Sequence, residues 1–189
     1  MTKRIYDKSI ETRELQMVGF WVNFTHFSVV GFLLIMPTTV LVFHLMNFIQ
    51  NHSDSFREGE IWIVTIPPVL ATIFYFMQKR QLKFKVINTT LNSVQLKEVI
   101  IEVAKKLNWE FKSATTNTYV AKTNPGFFSG SWGEQITILF DNDRVFVNSI
   151  CDPEKRSSIF SAGRNNENEQ TLIDKIKEAE SQSGTALEL

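Results

Sequence analysis

The chain has 189 residues with 20 Lys and Arg against 20 Asp and Glu, a formal charge of zero. That balance removes any bulk electrostatic case for a nucleic-acid partner or an acidic substrate. The one cysteine, Cys151, excludes an intramolecular disulfide and a cysteine-rich zinc site.

Hydrophobicity is distributed unevenly. Residues 1–22 form an N-terminal segment of mixed charge, in which Ile5 to Val18 suit a short helix leading into a long apolar run. From Phe24 to Ile49 no Asp, Glu, Lys or Arg occurs. A core helix of a soluble protein carries charge on its outer face, and a span of hydrocarbon needs roughly 20 apolar residues. Residues 23–49 therefore read as a first transmembrane helix. The run exceeds a signal-peptide core, and no small-x-small cleavage site comes after it.

Residues 50–60 form a short loop outside the membrane. Residues 61–78 then give a second, shorter span containing Pro67 and Pro68. Adjacent prolines remove two backbone donors, so a kink is expected there, with the freed carbonyls met by the neighbouring helix or by Thr65. In the alternative, the helix restarts at Pro67, a favourable first-turn residue. Trp62 and Tyr75 suit the two interfaces.

Lys3, Arg4, Lys8 and Arg13 precede the first run, Lys79, Arg80, Lys83 and Lys85 come after the second, and the loop offers only Arg57. The positive-inside rule places both termini in the cytoplasm, at the inner membrane if the source is bacterial. The second basic cluster is also expected to meet lipid head groups: Lys79, Arg80, Lys83 and Lys85.

Residues 81–181 read as a small cytoplasmic domain. Leu82 to Asn88 alternates like a strand. Asn92 with Gln95 is a capping box opening a helix whose apolar positions are Leu96, Val99, Ile100, Val103 and Leu107. WEFKS and TYVAKT are short strands or one interrupted strand. Residues 133–140 and 144–150, joined by Asp141-Asn142-Asp143, form a hairpin. Asn166 caps a last helix with Glu169 as its box partner, and residues 182–189 are left as a tail. With the interrupted strand counted once, the order is β-α-β-β-β-α. The expected fold class is a membrane-anchored α+β protein: a two-helix hairpin leading into a two-layer domain with a mainly antiparallel sheet and both helices on one face.

The search for chemistry returns little. His26, His44 and His52 all lie before the domain, so Cys151 has no histidine there to activate it. It reads as a small buried residue closing a strand. His26 and His44 share a helix face about 27 Å apart, which suits interfacial anchors better than a haem or proton relay. No nucleotide-binding, serine-hydrolase or metalloprotease motif occurs. The Gly-rich stretch 124–134 carries Phe127, Phe128 and Trp132 and has three readings: a ligand loop, a bilayer contact, or closure of the sheet's core. Arg164 stands just before a helix start, where an anion could bind, although Glu167 and Glu169 already answer the dipole. No cofactor and no metal site is expected.

The whole resembles small two-span bacterial membrane proteins with a cytoplasmic α/β domain, a likeness of architecture that implies no activity. The expected function is non-enzymatic: a subunit, adaptor or assembly factor binding a protein partner or a second copy through Ser28, Gly31 and Thr39. A small-molecule sensor with a pocket under residues 125–133 is the alternative.

Overall fold

The computed structural model describes all residues except 52–54, 126–131, 156–160, 162 and 186–189. Two long helices form a hairpin that rises from an α+β domain. Helix α1 covers Lys3–Thr12, α2 Phe20–Asn51 and α3 Glu60–Gln81. Strand β1 is Lys85–Asn88, followed by α4 at Ser93–Lys106, β2 at Trp109–Ala114, β3 at Thr118–Thr123, β4 at Glu134–Asp141, β5 at Arg144–Cys151 and α5 at Arg164–Thr185.

Helices α2 and α3 are long and apolar enough to cross a membrane. Side chains such as Phe32, Ile35 and Phe43 on α2, and Trp62, Val69 and Phe76 on α3, face outward. Both helices run continuously through their prolines, Pro37 in α2 and Pro67 and Pro68 in α3. The restart at Pro67 is therefore not the structure adopted. Nor does Thr65 meet a carbonyl freed by the prolines: its hydroxyl donates to Ile61 O at 2.8 Å. Those carbonyls belong to Ile63 and Val64, because a proline at i empties the carbonyl at i−4.

The sheet is wholly antiparallel, in the order β1-β5-β4-β3-β2. The two edge strands are thus consecutive in sequence, and α4 crosses the sheet to join them. The β-α-β-β-β-α order expected from the sequence is corrected to β-α-β-β-β-β-α. Residues 109–114 and 118–123 are two strands of one hairpin, not one interrupted strand. Their turn lacks Gly and Pro and is made by Thr115: its N–H donates to Thr118 O at 2.9 Å and its hydroxyl accepts from Thr118 N–H at 3.2 Å. Side chain–backbone turns of this kind leave a weak sequence signal.

Local signals elsewhere were sound. Asn92 and Gln95 form the reciprocal capping box, and Asn142 takes φ 54° at the β4–β5 turn, a conformation Asn tolerates well. Asn166 and Glu169, by contrast, do not cap α5. Ser161 does so, its hydroxyl accepting from Asn165 N–H at 3.2 Å. Helix α5 also continues to Thr185, through residues expected to be a tail.

Helices α4 and α5 share one face of the sheet, as expected. Ile100, Val103, Leu172 and Ile176 pack there on Ile136, Ile138, Val145 and Val147. Strand alternation sends Leu139, Phe146 and Ile150 to the opposite face. That face is covered by the N-terminal segment: Leu15, Tyr6, Ile10 and Met17 close over it together with Leu82 and Phe84. The Tyr6 hydroxyl donates to Phe140 O. Leu15 N–H donates to Leu82 O at 2.7 Å, and Phe84 N–H to Arg13 O at 2.9 Å. The chain entering α2 is thereby zipped to the chain leaving α3.

Candidate functional site

A concavity lined by three basic residues lies where the end of α3, the lead into β1 and the first turns of α5 converge. Alternation puts Leu82 and Phe84 toward the N-terminal segment, leaving Lys83 and Lys85 on the α5 side. There Arg80, Lys83 and Lys85 line a cavity of about 470 Å³ with Met77, Ser149, Asn165, Asn166 and Glu169. Lys79, the fourth residue of the basic cluster, is exposed and outside this lining.

The polar groups around Glu169 are bonded to one another. Glu169 Oε1 accepts from Ser149 N–H at 2.8 Å, and Oε2 pairs with Lys85 Nζ at 3.1 Å. Burial pushes the Glu169 carboxyl above its ordinary range, opposed by the Ser149 N–H and by Lys85. Lys85 also donates to Asn166 Oδ1 at 2.9 Å. Asn165 Oδ1 accepts from the Ser149 hydroxyl at 3.2 Å. The last carbonyls of α3 are closed by Leu82 N–H to Lys79 O and Lys83 N–H to Arg80 O, both at 3.2 Å, and by the Asn148 side-chain amide to Gln81 O at 2.7 Å. Arg80 and Lys83 have no carboxylate within ion-pair distance among the described residues.

A second polar cluster closes the far end of the sheet. Arg164 is committed there: its Nε pairs at 3.1 Å with Oε1 of Glu134, a fully buried carboxylate. Thr123 donates its hydroxyl to Oε2 of the same residue. Arg164 is thus a counter-ion, through Nε, to that buried carboxylate. Lys122 pairs nearby with Asp152 at 2.9 Å and with Glu154. Burial alone would lower the Lys122 ammonium, but these partners outweigh it and hold it above its ordinary value. Trp132 borders this region and is 47% exposed, while Phe127 and Phe128 lie outside the described residues.

Sequence reasoning missed how the hairpin is clasped. His26 and Gln78 bury each other near the domain: the Gln78 amide donates to His26 O, and His26 Nε2 lies 3.3 Å from Gln78 O. At the opposite end His44 Nε2 lies 3.1 Å from Glu60 Oε2, which also accepts Arg57 N–H at 2.7 Å. The two histidines do share a helix face, and it is turned toward α3. An available signal was the pairing of each histidine with a polar residue of the second helix at matching depth.

On the domain's outer surface, Val94 and Ile101 are 64% and 36% exposed. They stand seven residues apart on one side of α4, with the exposed Lys97 and Glu98 between them. No protein-family model matches the chain, and comparison with curated proteins and with solved structures returns no match either.

Proposed function

We propose that the chain is a two-span integral membrane protein, with both termini and the α/β domain in the cytoplasm, that works without catalysis by binding a protein partner. It acts as a subunit, adaptor or assembly factor of a membrane complex. The observation that carries the reading is the zipped root of the hairpin. Leu15 and Leu82, and Arg13 and Phe84, are hydrogen-bonded across the two ends of the apolar helices. Both ends therefore open on one side, where the basic residues also cluster, and the outward side chains of α2 and α3 suit hydrocarbon. Val94 and Ile101, exposed on one side of α4, are the apolar positions offered to a protein contact.

The test is the native mass of the full-length protein, gently solubilised from its own membrane, with identification of whatever co-migrates. A discrete large assembly that Val94→Glu with Ile101→Glu dissolves supports the reading. A bare monomer, or an assembly indifferent to that double variant, refutes the partner surface. A reporter fused after Leu189 that is active only outside the cytoplasm refutes the topology.

A further inference from the structure

We infer that the cavity between the end of α3 and the start of α5 is a binding site for a phosphate ester. The inference rests on the two-span reading only for the source of that group, a lipid head group at the membrane surface in place of a soluble metabolite.

The charge pattern comes first. Three cations line the cavity, Arg80, Lys83 and Lys85, against one carboxylate, Glu169. Glu169 does not oppose an anion freely: one oxygen is held by the Ser149 N–H and the other by Lys85. That pair neutralises itself and leaves the charges of Arg80 and Lys83 uncompensated. A phosphate ester carries one to two negative charges, which matches this pair. Arg suits it further because the guanidinium fork meets two phosphate oxygens at once.

The neutral donors are arranged in the same sense. The side-chain oxygens of Asn165 and Asn166 already accept from Ser149 and Lys85. Their amide NH₂ groups therefore remain as donors, and no described residue accepts from them. Both sit in the first turn of α5, whose dipole is already answered in part by Glu167. The opposing carbonyl end of α3 is closed by backbone bonds and by the Asn148 amide. Met77, one turn deeper on α3, supplies an apolar wall, so the site grades from cationic to apolar in the direction of the apolar helices. A glycerophosphate group with attached acyl chains has the same gradient.

Specific recognition differs from general attraction to an anionic surface in one measurable way. General attraction weights all four basic residues alike, including Lys79, which does not line the cavity. The experiment uses full-length protein in detergent and titrates dioctanoyl phosphatidic acid, dioctanoyl phosphatidylcholine, glycerol 3-phosphate and inorganic phosphate, with binding read by thermal shift and native mass spectrometry. The wild type should bind the phosphatidic acid saturably and at least tenfold more tightly than the zwitterionic lipid. Arg80→Gln and Lys83→Gln should each weaken binding about tenfold, and Asn166→Leu severalfold although no charge changes, whereas Lys79→Gln should change it less than threefold. Both cation variants are at surface-accessible positions, and an unchanged ligand-free melting temperature shows that they fold.

Equal losses for Lys79→Gln and Lys83→Gln, or no preference over phosphatidylcholine, would overturn the site. Glycerol 3-phosphate binding as tightly as the lipid, with the same variant pattern, supports the phosphate site and assigns it to a soluble ester. Alkaline carbonate extraction separates the two readings. Release of the protein from membranes defeats the two-span reading, and the phosphate titration then stands or falls by itself.

Discussion

If the N-terminal segment is part of the domain's core, then shortening one side chain in it must destabilise a sheet more than 65 residues away in sequence. Leu15 is the position to change, being 7% exposed and packed with Phe84, Leu139 and Phe146 on the second face of the sheet. Burying a leucine is worth about 1.5–3 kcal/mol, and truncating one to alanine in a core costs about 2–5 kcal/mol once the cavity is included. The backbone bond from Leu15 N–H to Leu82 O survives the change, so about 3 kcal/mol is the expectation for Leu15→Ala. For a domain of this size that corresponds to a fall in melting temperature of about 10 °C. The chain provides its own probe, because its one thiol, Cys151, is buried at the end of β5. A maleimide fluorophore then reports opening of the domain specifically, in full-length protein held in detergent. Glu11→Ala, at an exposed position on α1, serves as the control and should melt with the wild type. A Leu15→Ala protein melting within about 2 °C of wild type would refute the reasoning, because an independent leader helix would behave that way.

Three further outcomes are expected. Gly133 has φ 123° and an added Cβ would lie 2.6 Å from Thr123 O, so Gly133→Ala should lower domain stability by at least about 1 kcal/mol, read in the same thiol assay. Gln78→Ala should loosen the hairpin by about 1–3 kcal/mol, since it deletes the buried amide that donates to His26 O; thermal loss of helicity by circular dichroism measures this, and an unchanged melt counts against the clasp. The Glu169 carboxyl is raised by burial, so the folded state holds its proton more tightly than the unfolded state. Its contribution to stability is present below the ordinary carboxylate range and is lost as pH rises through the folded value. Glu169→Gln should therefore flatten the decline of stability with rising pH across that window, and a pH profile parallel to wild type would contradict it.

Much of the architecture was legible because its causes are local. The helix opening after Asn92 depends on a side chain and amides two and three residues away, and the β4–β5 hairpin depends on one residue at positive φ, Asn142. The α4 stripe of Leu96, Val99, Ile100 and Val103 appeared as periodicity and is buried as such. Legibility failed wherever a residue had a better partner far off. Glu169 has the spacing of a cap partner but turns to Ser149 and Lys85. Arg164 has the position of an anion ligand but pairs with Glu134. The basic cluster around the end of α3 reads as four equivalent charges, yet strand alternation and the start of α5 sort three into a cavity and leave Lys79 outside it.

What the sequence alone determined is the presence of two helices long and apolar enough to cross a membrane, and of a mixed helix-and-strand region after them. Both arise from nearest-neighbour chemistry: unbroken apolar runs, caps, turns and alternation. Only the tertiary structure decided what covers the second face of the sheet. The segment that does so is mixed in charge, short, and separated from its sheet by the whole hairpin; Tyr6 and Ile10, four residues apart on α1, mark one apolar face but not the surface that buries it. Its place is set by the apolar area that Leu139, Phe146 and Ile150 would otherwise leave in water, and by two backbone hydrogen bonds that form only when α2 and α3 lie side by side.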